Sequence, residues 1–251
     1  MISNKTLYGD VDMASIGKKF HTKTQYIRGK IPPVRLDWTN EPEKYKPYLG
    51  TKKIKLPLPL KRGGAPLWDV IKKRRSVSKF TRKTLSAQHL SQLLWATQGI
   101  TERSKEFRAT PSAGGLYPIV TYVVVNSVEN IDAGLYHYDV KNHELQLVGA
   151  GDKREQVSRA ALDQRMAYNA PVVFVWSCIF QRSVWKYSER AYRYVYMDVG
   201  HIGQSMVTAA TALGLGSCLI GALYDKEANE LIGADGEAES VLYMCTVGYS
   251  E

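Results

Sequence analysis

The 251-residue chain is 44% apolar and 23% charged, the proportions of an ordinary globular protein with enough length to bury a substantial core. Its net charge of +10 suits phosphate-bearing partners, yet no zinc-finger, RNP or basic-heptad pattern accompanies it, which argues against nucleic acid. No apolar run nears the roughly 20 residues that cross a bilayer, and no apolar h-region follows Met1, so a cytoplasmic protein without membrane or secretory segments is expected.

Residues 1–65 read as an extended arm, punctuated by Pro32, Pro33, Pro42, Pro47, Pro57 and Pro59 and weak in periodicity. Two prolines within residues 56–60 remove ladder donors and rule out a central strand there. A compact domain, 66–251, is expected to begin at Pro66, which suits a helix start. Leu67, Val70 and Ile71 then share one face of a short helix ending near Arg74. Ser86 is placed to cap a second helix, with Leu90, Leu93, Leu94 and Thr97 on one face and Gly99 as its stop. Residues 119–125 (IVTYVVV) predict a strand, and 135–138 with 145–148 predict a hairpin about a polar turn. A helix over 155–162, a strand over 171–176 and a long helix over 188–213 follow, the last closed by Gly214-Leu-Gly216. A strand over 218–223, a helix over 225–232 and a strand over 241–247 complete the chain. Because a hairpin interrupts the alternation, the pattern is α+β with a mixed sheet, not doubly wound. Gly200, Gly203, Val207, Ala210 and Gly214 make a small stripe on the long helix, for packing within the subunit or across a homodimer interface. His201 is expected to be held in that helix packing.

Common chemistries are missing: there is no HExxH, CxxC, GxxxxGK[ST] or GxSxG. Cys178, Cys218 and Cys245 read as reduced core thiols, and no metal site is expected. What remains is a concentration of charge. Residues 61–108 hold twelve Lys/Arg against Asp69, Glu102 and Glu106, a surplus of nine in a chain of net +10. Within and just beyond that stretch lie RRSVSKF (74–80) and PSAGGLYP (111–118). Arginine forks grip phosphate, and a bend without bulky side chains lets a flat ring approach. The competing readings are a solvated helix C-terminus for Arg74 and Arg75, and an ordinary turn for 112–115.

Five segments in order, RRSVSKF, LSAQHLSQLLWATQGIT, PSAGGLYP, WKYSERAYRYVYMDVGHIGQS and ALGLGSCLIGALYD, resemble the nitroreductase superfamily. The resemblance is closest to its SagB-type branch, the thiazole/oxazole dehydrogenase-like members. It covers about 66–249 and extends to FHTKT (20–24). It implies a homodimer of three-layer α+β subunits, with a central mixed, largely antiparallel sheet flanked by helices and FMN at the subunit interface. By position, Arg74, Arg75 and Ser76 would hold the phosphate and ribityl chain. Pro111, Ser112, Ala113 and Gly114 would lie against the isoalloxazine from the partner subunit. Gln164 would bond the pyrimidine edge, while Leu219, Ile220 and Gly221 would cover the other ring face and offer an N–H near N5.

Two positions depart from the family. Ser78 stands where a cation usually polarises the N1–O2 edge, and Lys79, one residue on, faces the other side of an extended segment. With the chain stopping at Glu251, a basic segment after the last strand is missing, so Arg74 and Arg75 are expected to carry more of the phosphate. Lys186 and Tyr187 match the catalytic pair of azoline-oxidising members, where a base must remove a proton as hydride leaves. The bland alternative makes Lys186, Arg190 and Arg193 the wet face of a tyrosine-rich helix. Three functions follow: NAD(P)H-dependent reduction of a nitroaromatic, quinone or similar acceptor; oxidation of azoline heterocycles in a peptide; or a non-catalytic flavin-binding module.

Overall fold

The computed structural model describes residues 13–31 and 35–251; Pro32 and Pro33 of the arm lie outside them. In chain order the elements are α1 (Met13–Lys23), β1 (Lys53–Lys55), α2 (Leu67–Lys73), α3 (Ala87–Gln98), β2 (Ile100–Glu102), β3 (Phe107–Arg108), β4 (Ile119–Val125), β5 (Gly134–Asp139) and β6 (Glu144–Ala150). There follow α4 (Arg154–Ala160), α5 (Arg165–Asn169), β7 (Val172–Ile179), α6 (Gln181–Tyr187), α7 (Ala191–Ala212), β8 (Gly216–Ile220), α8 (Asp225–Ile232) and β9 (Glu239–Gly248).

Seven strands form one sheet in the order β1-β6-β5-β4-β7-β9-β8, and every pair of neighbours is antiparallel. The parallel contribution comes from Ser76, which bridges to Ser217 at the β8 edge. Apolar side chains alternate between two cores. Ile119, Val123 and Val125 of β4 and Val172, Phe174 and Trp176 of β7 face α3 and α7, whereas Val120, Tyr122, Val124, Val173 and Val175 face α4, α5 and α8. Both faces of the central strands are therefore covered, which is why IVTYVVV runs apolar without alternation. The fold is three layers, as expected.

Local chemistry explains the helix ends. The Ser86 side chain accepts from the His89 N–H at 3.1 Å, capping α3, and Gly99 closes it. Leu90, Leu93, Leu94 and Thr97 are all buried. At the end of α7, Gly214 takes φ +73°, a conformation that costs glycine little. The long helix begins at Ala191 and not at 188, because Ser188 has φ 48° and ψ −140° and starts a separate 3-10 turn over Ser188–Arg190. The strand expected over 218–223 lies two residues earlier, since Gly216 and Ser217 already pair with Gly248 and Val247.

Other expectations need correction. Of the α2 face only Val70 is buried; Leu67 and Ile71 are each 56% exposed, because the face that α2 turns to the rest of the fold is narrower than its apolar stripe. The α7 stripe divides: Val207 and Ala210 are buried and Gly203 abuts Tyr243 and Leu219, but Gly200 and Gly214 face open space. His201 is exposed, outside the packing expected of it. The three cysteines carry free thiols, Cys178 and Cys245 in the core and Cys218 half-buried. Among the described residues no helix is long and apolar enough to cross a membrane, and no group of three or more His, Cys, Asp or Glu could hold a metal ion.

Candidate active site

The basic segment is fastened to the sheet. Arg74 ends α2, its N–H donating to the Val70 carbonyl at 2.8 Å, and the chain then runs extended along β8 with the Val77 N–H donating to the Ser217 carbonyl at 2.9 Å. A side chain at Gly216 would meet Val77 Cγ1 at 2.8 Å, so the absent Cβ lets the segment close on the strand. Ser76 and Ser78 are exposed, with Val77 between them turned inward. Arg75 Nη1 donates to the carbonyls of Arg74 and Lys72, and among the described residues neither Arg74 nor Arg75 meets a carboxylate within 4 Å.

Leu219, Ile220 and Gly221 sit where β8 ends. Leu219 packs on Gly203 of α7, and Gly221 is exposed beside Tyr243. Ile220 is 2% exposed, paired with Met244 in the sheet and committed to the core on that face. Gln164 lies at the start of α5; the Tyr224 N–H donates to the Ala160 carbonyl at 2.9 Å and draws the stretch after β8 up to the α4–α5 junction. The structure thus lays Arg74–Ser78 along β8 with Leu219–Gly221 at the end of the same strand, while Gln164 sits at the α4–α5 junction to which Tyr224 is bonded.

The small-residue loop belongs to a second patch. Asp198 of α7, 4% exposed, accepts from Ser112 Oγ at 2.5 Å and from the Ala113 N–H at 3.2 Å. Ser112 Oγ in turn accepts from the Tyr117 N–H at 3.0 Å. These bonds brace a bend in which Gly114 (φ +65°) and Gly115 (φ +68°) occupy the left-handed region that L side chains rarely adopt. Pro111 is exposed at its entrance. Burial raises the Asp198 carboxyl above its ordinary pKa, opposed by the bonds from Ser112 and Ala113.

Over this bend stands the pair from the end of α6. A Cβ at Gly114 would collide with Tyr187 Oη and lie 3.1 Å from Lys186 Nζ. Tyr187 is steadied edge-on by Tyr194, with ring centroids 4.9 Å apart. Burial, followed by the charges of Tyr194 and Asp198, raises the Tyr187 phenol above its usual value and keeps it protonated. Arg190 and Arg193 are not a wet face: Arg190 Nη1 donates to the Thr24 carbonyl at 2.6 Å and Arg193 Nε to Thr24 Oγ1 at 2.7 Å. They dock the FHTKT segment against α7. Further along, Trp185 Nε1 donates to the Asp37 carbonyl and its ring meets Trp38 edge-on at 5.4 Å, so the early residues also roof α6.

The residue that sequence reading missed is Asp198. Its signal was available: it is a lone acid on the same apolar face as Val195, Val199 and Ile202, and a buried acid requires partners.

A basic strand edge and a braced glycine bend overhung by a lysine–tyrosine pair are thus set in an α+β fold of one antiparallel sheet flanked by helices. The chain belongs to the nitroreductase family, whose model, described as "Nitroreductase family", matches residues 71–249. A nitroreductase candidate of Methanocaldococcus jannaschii is 36% identical over 166 residues, 66% of this chain and 83% of that protein. The crystal structure of a nitroreductase candidate from Anabaena variabilis superposes with a TM-score of 0.78 at 28% identity, covering 98% of this chain and 49% of that one. The microcin B17-processing protein McbC of Escherichia coli is 27% identical over 139 residues, 53% of this chain and 51% of McbC, and the chain falls with the SagB-like branch. The chain thus spans about half the length of the Anabaena protein and of McbC.

Proposed function

We propose that the protein is an FMN-dependent oxidoreductase that works as a homodimer, reducing a nitroaromatic, quinone or similar acceptor with electrons from NAD(P)H. The observation that carries this reading is the convergence of Lys186 Nζ and Tyr187 Oη on Gly114, because hydride chemistry needs a proton handled beside a bare ring platform. When bound, FMN accepts and passes on hydride through its N5. The residues fit both of its ends. Arg74 and Arg75, which meet no carboxylate within 4 Å among the described residues, would grip the phosphate, with Ser76 and Ser78 on the exposed side of the same segment. The Ser112–Gly114 bend, pinned by Asp198, would receive the ring, and the backbone at Leu219–Gly221 would face it from the other side. Gln164 would bond its polar edge. Tyr187, held protonated, would donate at the acceptor, with Lys186 Nζ beside it.

Two patches on one chain suit a site completed by a second copy. The exposed Leu67, Trp68 and Ile71 of α2 and Tyr196 and Met197 of α7 supply apolar surface for that contact. A second reading, oxidation of azoline rings in a peptide with Lys186 and Tyr187 as the base pair, is favoured by the position of that pair over the bend and by the likeness to a microcin-processing protein.

The test is anaerobic titration of the purified protein with NADH and NADPH, followed by visible absorbance. A yellow protein that bleaches and is reoxidised by a nitroaromatic or quinone supports the reductase reading. A yellow protein that neither nucleotide bleaches, but an azoline peptide does, moves the assignment to the second. A colourless protein that takes up no FMN ends both.

A further inference from the structure

Beside the bend lies a second pocket, of about 290 Å³, walled by residues 43–49 and the outer ends of β4, β5 and β6. Its basic side chains divide by their partners. Lys44, Lys46 and Lys53 are each matched to a carboxylate, Glu106 at 2.8 Å, Glu239 at 2.5 Å and Glu144 at 3.0 Å. Lys141, Arg108 and Arg182 are not: among the described residues no carboxylate lies within 4 Å of them, and whereas Lys141 is exposed, Arg108 and Arg182 are only 7% and 5% exposed. Arg108 spends Nη1 on Gln98 Oε1 at 3.1 Å and stacks 4.5 Å over the Tyr117 ring, while its Nε is buried without a partner among the described residues. Arg182 spends only Nε, on the Glu43 carbonyl at 2.8 Å. Of the acids on the wall, Asp139 is consumed by the β5–β6 turn, accepting from Lys141 N–H, Asn142 and Gln146, and Glu43 is exposed.

Glu239 and Glu43 act on Arg182 from beyond contact distance, but two buried guanidiniums with no carboxylate in contact are costly to fold, and the fork of each is shaped for a planar or tetrahedral oxyanion. Burial, reinforced by the charge of Arg182, draws the Arg108 pKa down to about 10, as an uncompensated cation would show. Lys44 and Arg182 also line the adjoining crevice of about 220 Å³ that holds Gly114 and Lys186. The two spaces therefore share a wall.

We propose that Arg108 and Arg182 form an anion subsite that holds the carboxylate or phosphate of a small organic acid while its reacting part lies at Gly114 and Lys186. The subsite rests on the redox reading for its role but not for its detection. Equilibrium binding to the purified full chain, with no reductant, would use 4-nitrobenzoate, 4-nitrophenyl phosphate and the neutral 4-nitrobenzamide. At least one anion is expected to bind about tenfold or more tightly than the amide, and the better of the two identifies the oxyanion. Arg182→Gln and Arg108→Gln should each abolish that preference, and Arg182→Lys, which keeps the charge but not the fork, should weaken it if Arg108→Gln fails to fold. Equal affinity for the three probes, no saturable anion binding, or a preference unchanged in Arg182→Gln overturns the proposal. If anions are preferred but NAD(P)H reduces neither nitro compound, the subsite stands and the redox reading falls; reduction without anion preference does the reverse.

Discussion

Alanine at Gly114 puts the geometry of the pair to a direct test, with alanine at Gly115 as its control. Both glycines have positive φ, +65° and +68°, so either substitution carries the left-handed strain of an L residue, about 1–2 kcal/mol. Their surroundings differ. At Gly115 the nearest atom to a new Cβ is Phe107 Cε1 at 4.0 Å, an ordinary contact, whereas at Gly114 the methyl collides with Tyr187 Oη and crowds Lys186 Nζ at 3.1 Å. Both contacts are the far ends of side chains, so they can yield with little loss of stability. What is lost is position, and a displacement near 1 Å at a reacting group can cost roughly 100-fold in rate. Urea unfolding should therefore show similar destabilisation for Gly114→Ala and Gly115→Ala, while kcat falls some 10- to 100-fold further in the former. Anaerobic stopped-flow of the half-reaction with the acceptor would isolate that step. Equal kcat in the two variants, each with bound FMN, would refute the assignment of Lys186 and Tyr187 to the chemistry.

The remaining expectations concern binding, charge and pH. Arg74→Gln and Arg75→Gln should each weaken FMN by roughly 10- to 100-fold, the loss of a charged hydrogen bond worth about 1.5–3 kcal/mol, read by flavin fluorescence on dilution; unchanged affinity would return both to a solvated helix end. The Lys46–Glu239 pair, with Tyr122 Oη and Ser177 Oγ also donating to Glu239 at 3.0 and 2.6 Å, is largely enclosed, so Lys46→Met should cost about 2–3 kcal/mol in urea unfolding. Lys52→Met, which breaks an exposed, solvent-screened pair with Asp132, should leave the urea midpoint essentially unchanged. His137 is buried against Tyr48 and Tyr122, and burial lowers its pKa from 6.5 to about 4. The folded state therefore holds it neutral while the unfolded chain takes up a proton below 6.5. Its contribution is complete above pH 6.5 and is lost as pH falls toward 4, by about 3 kcal/mol, so His137→Gln should flatten that part of the pH–stability curve.

Much of this architecture was legible because the governing signals are local. The Ser86 cap, the Gly99 stop and the Gly214 turn each rest on one residue's own hydrogen bond or φ, and the central strands announce themselves by runs too apolar for any exposed face. What was not legible depended on distant partners. Nothing in Lys53–Lys55 predicts β1, whose strand character comes from the β6 residues it pairs with. Leu67 and Ile71 show the right period for a buried face, but period fixes which residues share a face and not what that face meets. Arg190 and Arg193 read as solvent-facing because their acceptors, on residues 21 and 24, lie some 170 positions away in the chain.

Asp198 shows why the candidate site needed the structure most. PSAGG is open to an ordinary turn because glycine and serine are what any turn prefers. The carboxylate changes that status: through Ser112 Oγ and the Ala113 N–H it fixes the bend to the middle of α7, and only a bend so fixed can hold Gly114 under Tyr187. A surface turn would have no use for a buried acid, whose burial is a standing cost that the two donors offset only in part, as its raised pKa records. The cost is borne where the bend, the long helix and the lysine–tyrosine pair come together, and positional accuracy at that junction is what it secures.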